Sequence, residues 1–199
     1  MSNLITVEIL NIGDELLLGI RTNSHLTYLG KQLSLLGLKI DHCQVVPDKA
    51  DAIKTAFAIS TKRSDIVIAT GGLGPTADDL TRESLAELLE LKLIYNDAIF
   101  DSIKDRFLKL GREVSEIHKK QCYQIEGSQL LKNDRGTAPG LFVKEDACEI
   151  FLLPGPTHEL IPIFEEQIVP YIKDKVCAPE GQTYIQLRTC GIGESTVEE

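Results

Sequence analysis

The chain has 199 residues, 43% of them hydrophobic and 26% charged, a balance that supports one sizeable core and excludes a disordered or fibrous protein. Its formal net charge is −9, with no run of Lys or Arg to follow a phosphate backbone, which argues against nucleic acid as the main partner. An anionic substrate therefore needs a local site that overcomes the general repulsion.

The five cysteines, without a CxxC pair, read as idle thiols in a reducing compartment, and the four histidines lack the spacing of a zinc site. The N-terminal stretch MSNLITVEIL has no basic start, and the longest apolar runs, IVIA and IFLL, are too short to cross a bilayer. A cytoplasmic protein without a membrane partner is expected.

In chain order, alternation along Leu4 to Ile12 predicts a strand ending at Gly13. A helix follows, with Leu26, Leu29, Leu33 and Leu36 on one face, Ser24 placed to cap its start and Gly37 its end. LKIDHCQVV predicts a second strand, and Asp48 is placed to cap a helix that turns Ile53, Ala56, Phe57 and Ile59 inward. DIVIAT is a short continuous apolar run of the kind buried in a parallel sheet. Past a glycine-rich turn come a helix marked by Leu80, Leu85, Leu88 and Leu89, one started by Asn96 or Asp97, and a shorter one in SEIHKKQCYQI. GLFVKEDACEIFLLPG predicts two strands joined at Lys144 to Ala147, then a helix from Thr157 with Pro162 near its first turn and a kink or restart at Pro170.

Strand–helix alternation in the first half predicts an α/β fold: three layers, α/β/α, on a mostly parallel, doubly wound sheet. Residues 1–175 are expected to form this domain. Residues 176–199 are expected to be a linker and the start of a second, incomplete subdomain, so the chain is read as part of a longer protein.

The stretch TGGLGPTADDLT, residues 70 to 81, sets Gly71, Gly72 and Gly74 in front of Asp78 and Asp79. Glycines let a ligand approach the backbone closely, and the turn follows a strand, where open α/β sheets bind ligands. A dinucleotide fingerprint fails here, because that motif belongs on the first strand and carries no acidic pair; no P-loop pattern is present either. Two accounts of the aspartates compete. One is helix capping, which stabilises by about 0.3–1 kcal/mol per carboxylate; the other is a divalent cation held between the carboxylates and a diphosphate. Asp14 and Glu15, after the first strand, belong on the same sheet edge and form a second acidic turn. Asn23 is a candidate ribose or phosphate ligand or a local turn-former. Lys119, Lys120 and Gln121 could reach a phosphate, but the lysine pair lies on a face more often solvated than functional, with Lys120 kept as a phosphate-binding candidate.

GDELLLG, TGGLGPTADDLT, NDRGTAPG at 133 to 140 and LLPGPTHEL at 152 to 160 occur in that order. Together they resemble the N-terminal domain of the competence/damage-inducible protein A (CinA) family, which is similar in fold to the molybdopterin-binding (MoaB/Mog-like) domains. The resemblance runs from about Ile9 to Asp174. It implies hydrolysis of the pyrophosphate bond of ADP-ribose to AMP and ribose 5-phosphate by a cytoplasmic homodimer, with a divalent metal (Mg²⁺ or Co²⁺) and K⁺ as cofactors. By position it makes Asp14, Glu15, Asp78 and Asp79 catalytic groups, with Glu15, Asp78 and Asp79 as metal ligands. It makes Gly71, Gly72, Gly74 and Thr76 phosphate-binding, and Thr137, Gly140, Gly155 and Glu159 further walls of the substrate site. Two departures stand out: Thr157 and His158 replace the family's usual proline–serine, and the family's nicotinamide-nucleotide amidase domain has no counterpart in these residues.

Two other functions fit the same sequence. A molybdopterin-binding or adenylating enzyme commonly has threonine where Leu73 stands and arginine where Asp78 stands. A non-catalytic nucleotide-binding regulatory domain would bind the nucleotide without turnover. A serine or cysteine hydrolase lacks its G-x-S-x-G elbow and any ordered nucleophile–base pair.

Overall fold

A computed structural model of the protein describes residues 5–176 together with 190, 191, 193 and 196. The expected linker and second subdomain lie almost wholly outside the described residues.

The core is a six-stranded sheet in the order β2-β1-β3-β8-β7-β6. It is formed by β1 (Val7–Ile12), β2 (Ile40–Val46), β3 (Ile66–Thr70), β6 (Gln129–Leu131), β7 (Gly140–Glu145) and β8 (Cys148–Leu153). β1 pairs in parallel with β2 and β3, and β3 with β8; only β7 runs against its neighbours. The mostly parallel, three-layer fold predicted from the strand–helix alternation is the one observed.

Each central strand is buried on both faces and divides its side chains between two cores. Leu10, Ile12, Val67, Ala69, Ile150 and Leu152 face Ile53, Ala56 and Phe57 of α3 (Ala50–Arg63) and Leu85 and Ala86 of α4 (Thr81–Leu88). Val7, Ile9, Ile66, Ile68, Phe151 and Leu153 face Leu29 and Leu33 of α2 (Ser24–Leu35). That second face is completed by Leu160 and Ile163 of α6 (Thr157–Ile163), Phe164 and Ile168 of a π-helical segment (Phe164–Ile168), and Ile172 of α7 (Val169–Lys175). The period-two pattern is the physical origin of the layers.

A short α1 (Asp14–Leu17) follows β1. A hairpin of β4 (Leu93–Tyr95) and β5 (Tyr123–Ile125) stands apart from the main sheet, with α5 (Asp97–Lys109) and a 3₁₀ segment (Glu116–Cys122) between its strands.

Several local expectations are corrected. Asn23, not Ser24, caps α2, its Oδ1 accepting the Leu26 N–H at 3.0 Å. Asp48 caps nothing in α3; its carboxylate accepts the Asp14 N–H at 2.8 Å across the sheet edge. The helix expected in SEIHKKQCYQI is a 3₁₀ segment that runs into a strand. Pro162 is the sixth residue of α6 rather than a first-turn residue, and the π-helical segment follows directly. Ile59 is 44% exposed. Strands β4 and β6, three residues each, are too short to show alternation.

Candidate functional site

Chain direction places the site. From β1 the chain crosses by α2 to β2 on one side, and from β2 it returns by α3 to β3 on the other. The loops after β1 and β3 therefore diverge at one carboxyl edge, the switch point at which doubly wound sheets bind ligands. A cleft of about 620 Å³ opens there.

The glycine turn forms one wall. Gly71 has φ 98° and Gly72 φ 66°; a Cβ on Gly71 would overlap the Ile12 carbonyl, and one on Gly72 the Thr81 hydroxyl. Only glycine allows this close crossing of β1 and β3. Thr81 fixes the turn to α4, its hydroxyl donating to the Gly71 carbonyl at 2.8 Å and its N–H to the Gly72 carbonyl at 3.1 Å.

The two aspartates of the motif part company. Asp79 folds back, its Oδ2 accepting the Thr76 N–H at 2.8 Å and the Thr76 hydroxyl at 2.5 Å. It clamps the turn rather than capping α4, whose start has no side-chain cap. Asp78 is exposed and lines the cleft. Hydrogen bonding from Thr76, its own N–H and the charge of Lys120 together hold its carboxyl below the usual range.

Glu15 and Asp48 face it from the β1 and β2 loops. Burial pushes the Asp48 carboxyl up, and the charges of Asp14, Glu15 and Asp78 add to the rise. Like charges are thus gathered at one edge, with Arg21 and His25 the basic side chains among the lining residues. Among the described residues no three Asp, Glu, His or Cys side chains close on one point as a metal cage. Hard oxygen donors in this number fit a Mg²⁺-like cation that completes its shell with phosphate oxygens and water.

The opposite wall is a docked loop. Asn133 donates to Glu159 Oε2 at 2.6 Å and to the Ala138 carbonyl at 2.7 Å, while its Oδ1 accepts the N–H groups of Arg135 and Gly136. One side chain thereby joins the NDRGTAPG and PGPTHEL blocks and turns Thr137 and Glu159 to the cleft.

Of the expected site residues, the cleft brings together Glu15, Asn23, Gly71, Gly72, Gly74, Asp78, Asp79, Thr137, Gly155 and Glu159. Asp14 does not line it; its carboxylate accepts the Asp48 N–H at 3.3 Å. Thr76 serves Asp79, and Lys120 braces the loop from outside, its Nζ donating to the Thr76 carbonyl at 2.5 Å. Gly140 is buried at the start of β7, paired with Leu131.

Sequence reading missed Asp48, His25 and Thr70, all lining the cleft. Gln121 is 2% exposed, and its Oε1 has no hydrogen-bond partner among the described residues. Of Lys119, Lys120 and Gln121, the three that the sequence offers as able to reach a phosphate, Gln121 is the one that lines the cleft.

Strand order, layers and a switch-point cleft of glycines and carboxylates define an α/β/α domain of the molybdopterin-binding type. The sequence matches the family described as a probable molybdopterin binding domain over residues 8–174, and the chain belongs to that family.

A CinA-like protein of Dictyoglomus turgidum is 45% identical over 193 residues, covering 96% of this chain and 46% of that protein. The chain thus spans about half the length of the curated relatives it matches. The crystal structure of CinA from Thermoplasma acidophilum, described as of unknown function, is 29% identical, with a TM-score of 0.76 over 84% of this chain and 99% of that one. The molybdopterin biosynthesis Mog protein of Mycobacterium ulcerans is 15% identical with a TM-score of 0.55, over 86% of this chain and 99% of its own, a likeness of fold. The CinA resemblance read from the sequence motifs is borne out.

Among the described residues no helix is long and apolar enough to cross a membrane.

Proposed function

We propose that this domain hydrolyses the pyrophosphate bond of ADP-ribose, water adding to one phosphorus as the bridging P–O bond breaks, to give AMP and ribose 5-phosphate. The observation that carries the reading is the meeting, in one switch-point cleft, of the backbone-baring turn Gly71–Gly74 with the carboxylates of Glu15, Asp48 and Asp78. Such a pairing suits a diphosphate that arrives with a cation.

In this reading Glu15 and Asp78 hold the divalent metal, with Asp79 positioning the turn behind them. When bound, the metal supplies charge neutralisation at the phosphates. The glycine turn carries the diphosphate, and Thr137 and Glu159 face the ribose. Asp48, with its raised pKa, is the better proton acceptor of the cluster, and Asp78, with its lowered pKa, the more permanent anion. The protein acts as a cytoplasmic homodimer on a small nucleotide, with K⁺ as a further cofactor.

The test is AMP release from ADP-ribose with and without Mg²⁺ or Co²⁺, beside Asp78→Asn. The expected result is metal-dependent release that Asp78→Asn lowers by about 100-fold or more while the melting temperature barely moves. Equal loss of rate and stability would make Asp78 a structural residue.

The fold of the Mog protein supports a second reading, molybdopterin binding or adenylation, against which stand Leu73 and Asp78. Tight molybdopterin binding without AMP release would favour it, and ADP-ribose binding without turnover would favour a silent nucleotide-binding domain.

A further inference from the structure

The floor of the cleft is a chain of polar side chains that crosses the carboxyl ends of β1 and β3. Asn11, within β1, is fully buried, Thr70 ends β3 at 2% exposure, and His25 is half-buried in the first turn of α2. The orientation of both amides in this chain is fixed by one group that can only donate, the backbone N–H of Leu26, and the need of the buried Thr70 proton for an acceptor sets the rest.

Asn23 Oδ1 accepts that N–H at 3.0 Å, so its Nδ2 is the atom that faces Asn11. Asn23 Nδ2 donates to Asn11 Oδ1 at 2.6 Å, which leaves Asn11 Nδ2 to donate to Thr70 Oγ1 at 2.8 Å. The Cys43 thiol, 3.8 Å from Asn11 Oδ1, agrees with that orientation of the amide. Thr70 Oγ1 can accept a second hydrogen bond, but its own proton also needs an acceptor; at 2% exposure, and with no other hydrogen bond to it among the described residues, that acceptor is His25 Nδ1, 3.1 Å away. The remaining imidazole proton lies on Nε2, which is 3.3 Å from Thr157 Oγ1. Thr157 is exposed and lines the cleft. With its oxygen accepting from His25, its hydroxyl proton is the one left over.

We propose that this one-way chain locks His25 as the neutral Nε2–H imidazole and thereby makes Thr157 a hydroxyl donor to an anionic oxygen of the ligand in the cleft. The ligand is a phosphate-bearing one, and that part rests on the nucleotide reading above. His25 is a positioning residue: it touches Thr157, and Thr157 touches the ligand. Burial lowers the His25 pKa, in keeping with a ring held neutral. Cooperative chains of this kind polarise their last donor, and a donor to a charged oxygen is among the stronger hydrogen bonds.

The chain makes an unusual claim about Asn23→Asp. The new carboxylate still caps Leu26 N–H but has no proton to give Asn11. Asn11 is then expected to turn its amide, donate to the carboxylate and present Oδ1 to Thr70. Thr70 donates to that oxygen and accepts from His25, which moves the imidazole proton to Nδ1. A substitution at a side chain that hydrogen-bonds to Asn11 and Leu26 rather than to the ring would thus reverse a tautomer.

The experiment is imidazole ¹⁵N NMR of the full chain at about pH 8, above the ordinary imidazole range, with no ligand present. The expected result is Nε2–H in the parent and Nδ1–H in Asn23→Asp. Nδ1–H in the parent, or an unchanged tautomer in the variant, overturns the chain. Titration with AMP and with inorganic pyrophosphate, each in the presence of Mg²⁺, then reads the donor: Thr157→Val is expected to weaken binding about tenfold, and Thr157→Ser to restore it. Equal binding by parent and Thr157→Val overturns the donor role. If pyrophosphate binds and AMP does not, the nucleotide reading fails and the same variants still decide the donor. If neither binds, nucleotide reading and donor role fall together, while the tautomer alone decides the chain.

Discussion

At the residue scale, two titratable side chains of the cleft move stability with pH in opposite directions at different windows. Burial lowers the pKa of His25, so between its folded value and the ordinary 6.5 the unfolded chain binds more protons than the native one. Stability contributed by the neutral ring is present above about pH 6.5 and is lost as pH falls through that window. Denaturant melts of parent and His25→Gln between about pH 5 and 8 are expected to show a smaller slope in the variant. Asp48 carries the opposite shift on an acid, its pKa raised by burial and by Asp14, Glu15 and Asp78. The native state there binds more protons than the unfolded one, so stability falls as pH rises from the ordinary 3.8 through the folded value. Asp48→Asn keeps an oxygen for the Asp14 N–H and removes the charge. In metal-free buffer at neutral pH it is expected to gain stability, of order 1 kcal/mol or about 2–4 °C in Tm, after allowance for solvent screening. The gain is expected to vanish at acid pH, where both side chains are neutral; a loss at neutral pH would mean that the carboxylate is a net structural asset.

At the element scale, two glycines that look alike in sequence separate structure from function. A methyl on Gly71 would run into the Ile12 carbonyl, at a backbone φ of 98° that L side chains rarely adopt. Neither β1 nor the turn can yield, so Gly71→Ala is expected to cost about 2–4 kcal/mol and lower Tm markedly. On Gly136 the methyl would meet only the end of the Glu159 side chain, which is flexible. Gly136→Ala is therefore expected to keep stability within about 1 kcal/mol while it dislodges Glu159 from Asn133 and weakens AMP binding. Comparing the two variants by thermal melt and by titration checks both halves. What was legible in the sequence follows the same division. The turn after DIVIAT and the Asn96 start of α5 are set by neighbours a few residues away and stand where the sequence put them, and the reversal expected at Lys144–Ala147 tightens to Asp146–Ala147, with Lys144 and Glu145 paired in β7. Asp48 was read as a cap because the partner that claims it, Asp14, lies 34 residues back. Thr70 and His25 gave no signal either, since 45 residues separate the two ends of their hydrogen bond.

At the scale of the whole molecule, the sheet explains why four motifs spread from residue 13 to residue 160 form one site. Parallel pairing of β1, β3 and β8 carries the loops after all three strands to one edge, and the alternating cores hold that edge rigid from both faces. The fold class was readable because apolar periodicity repeats over many residues, whereas the cleft's inner lining depends on which loops meet. The same edge concentrates acid on a chain already at −9, which sets up a global measurement. AMP alone meets repulsion from the cluster and from the field of the molecule, so in EDTA it is expected to shift Tm by little. Mg²⁺ alone is expected to raise Tm modestly by relieving Asp48, and the two together by more than the sum, because each ligand brings the charge the other lacks. A ligand present at about 100 times its Kd stabilises a native state by roughly 2.7 kcal/mol, which for a domain of this size corresponds to about 5–10 °C. Thermal melts over a grid of AMP and Mg²⁺ concentrations read that coupling directly, and Asp78→Asn is expected to reduce it. Additive shifts, or a full AMP shift in EDTA, would place the nucleotide away from the carboxylates and remove the cation from the proposed reaction.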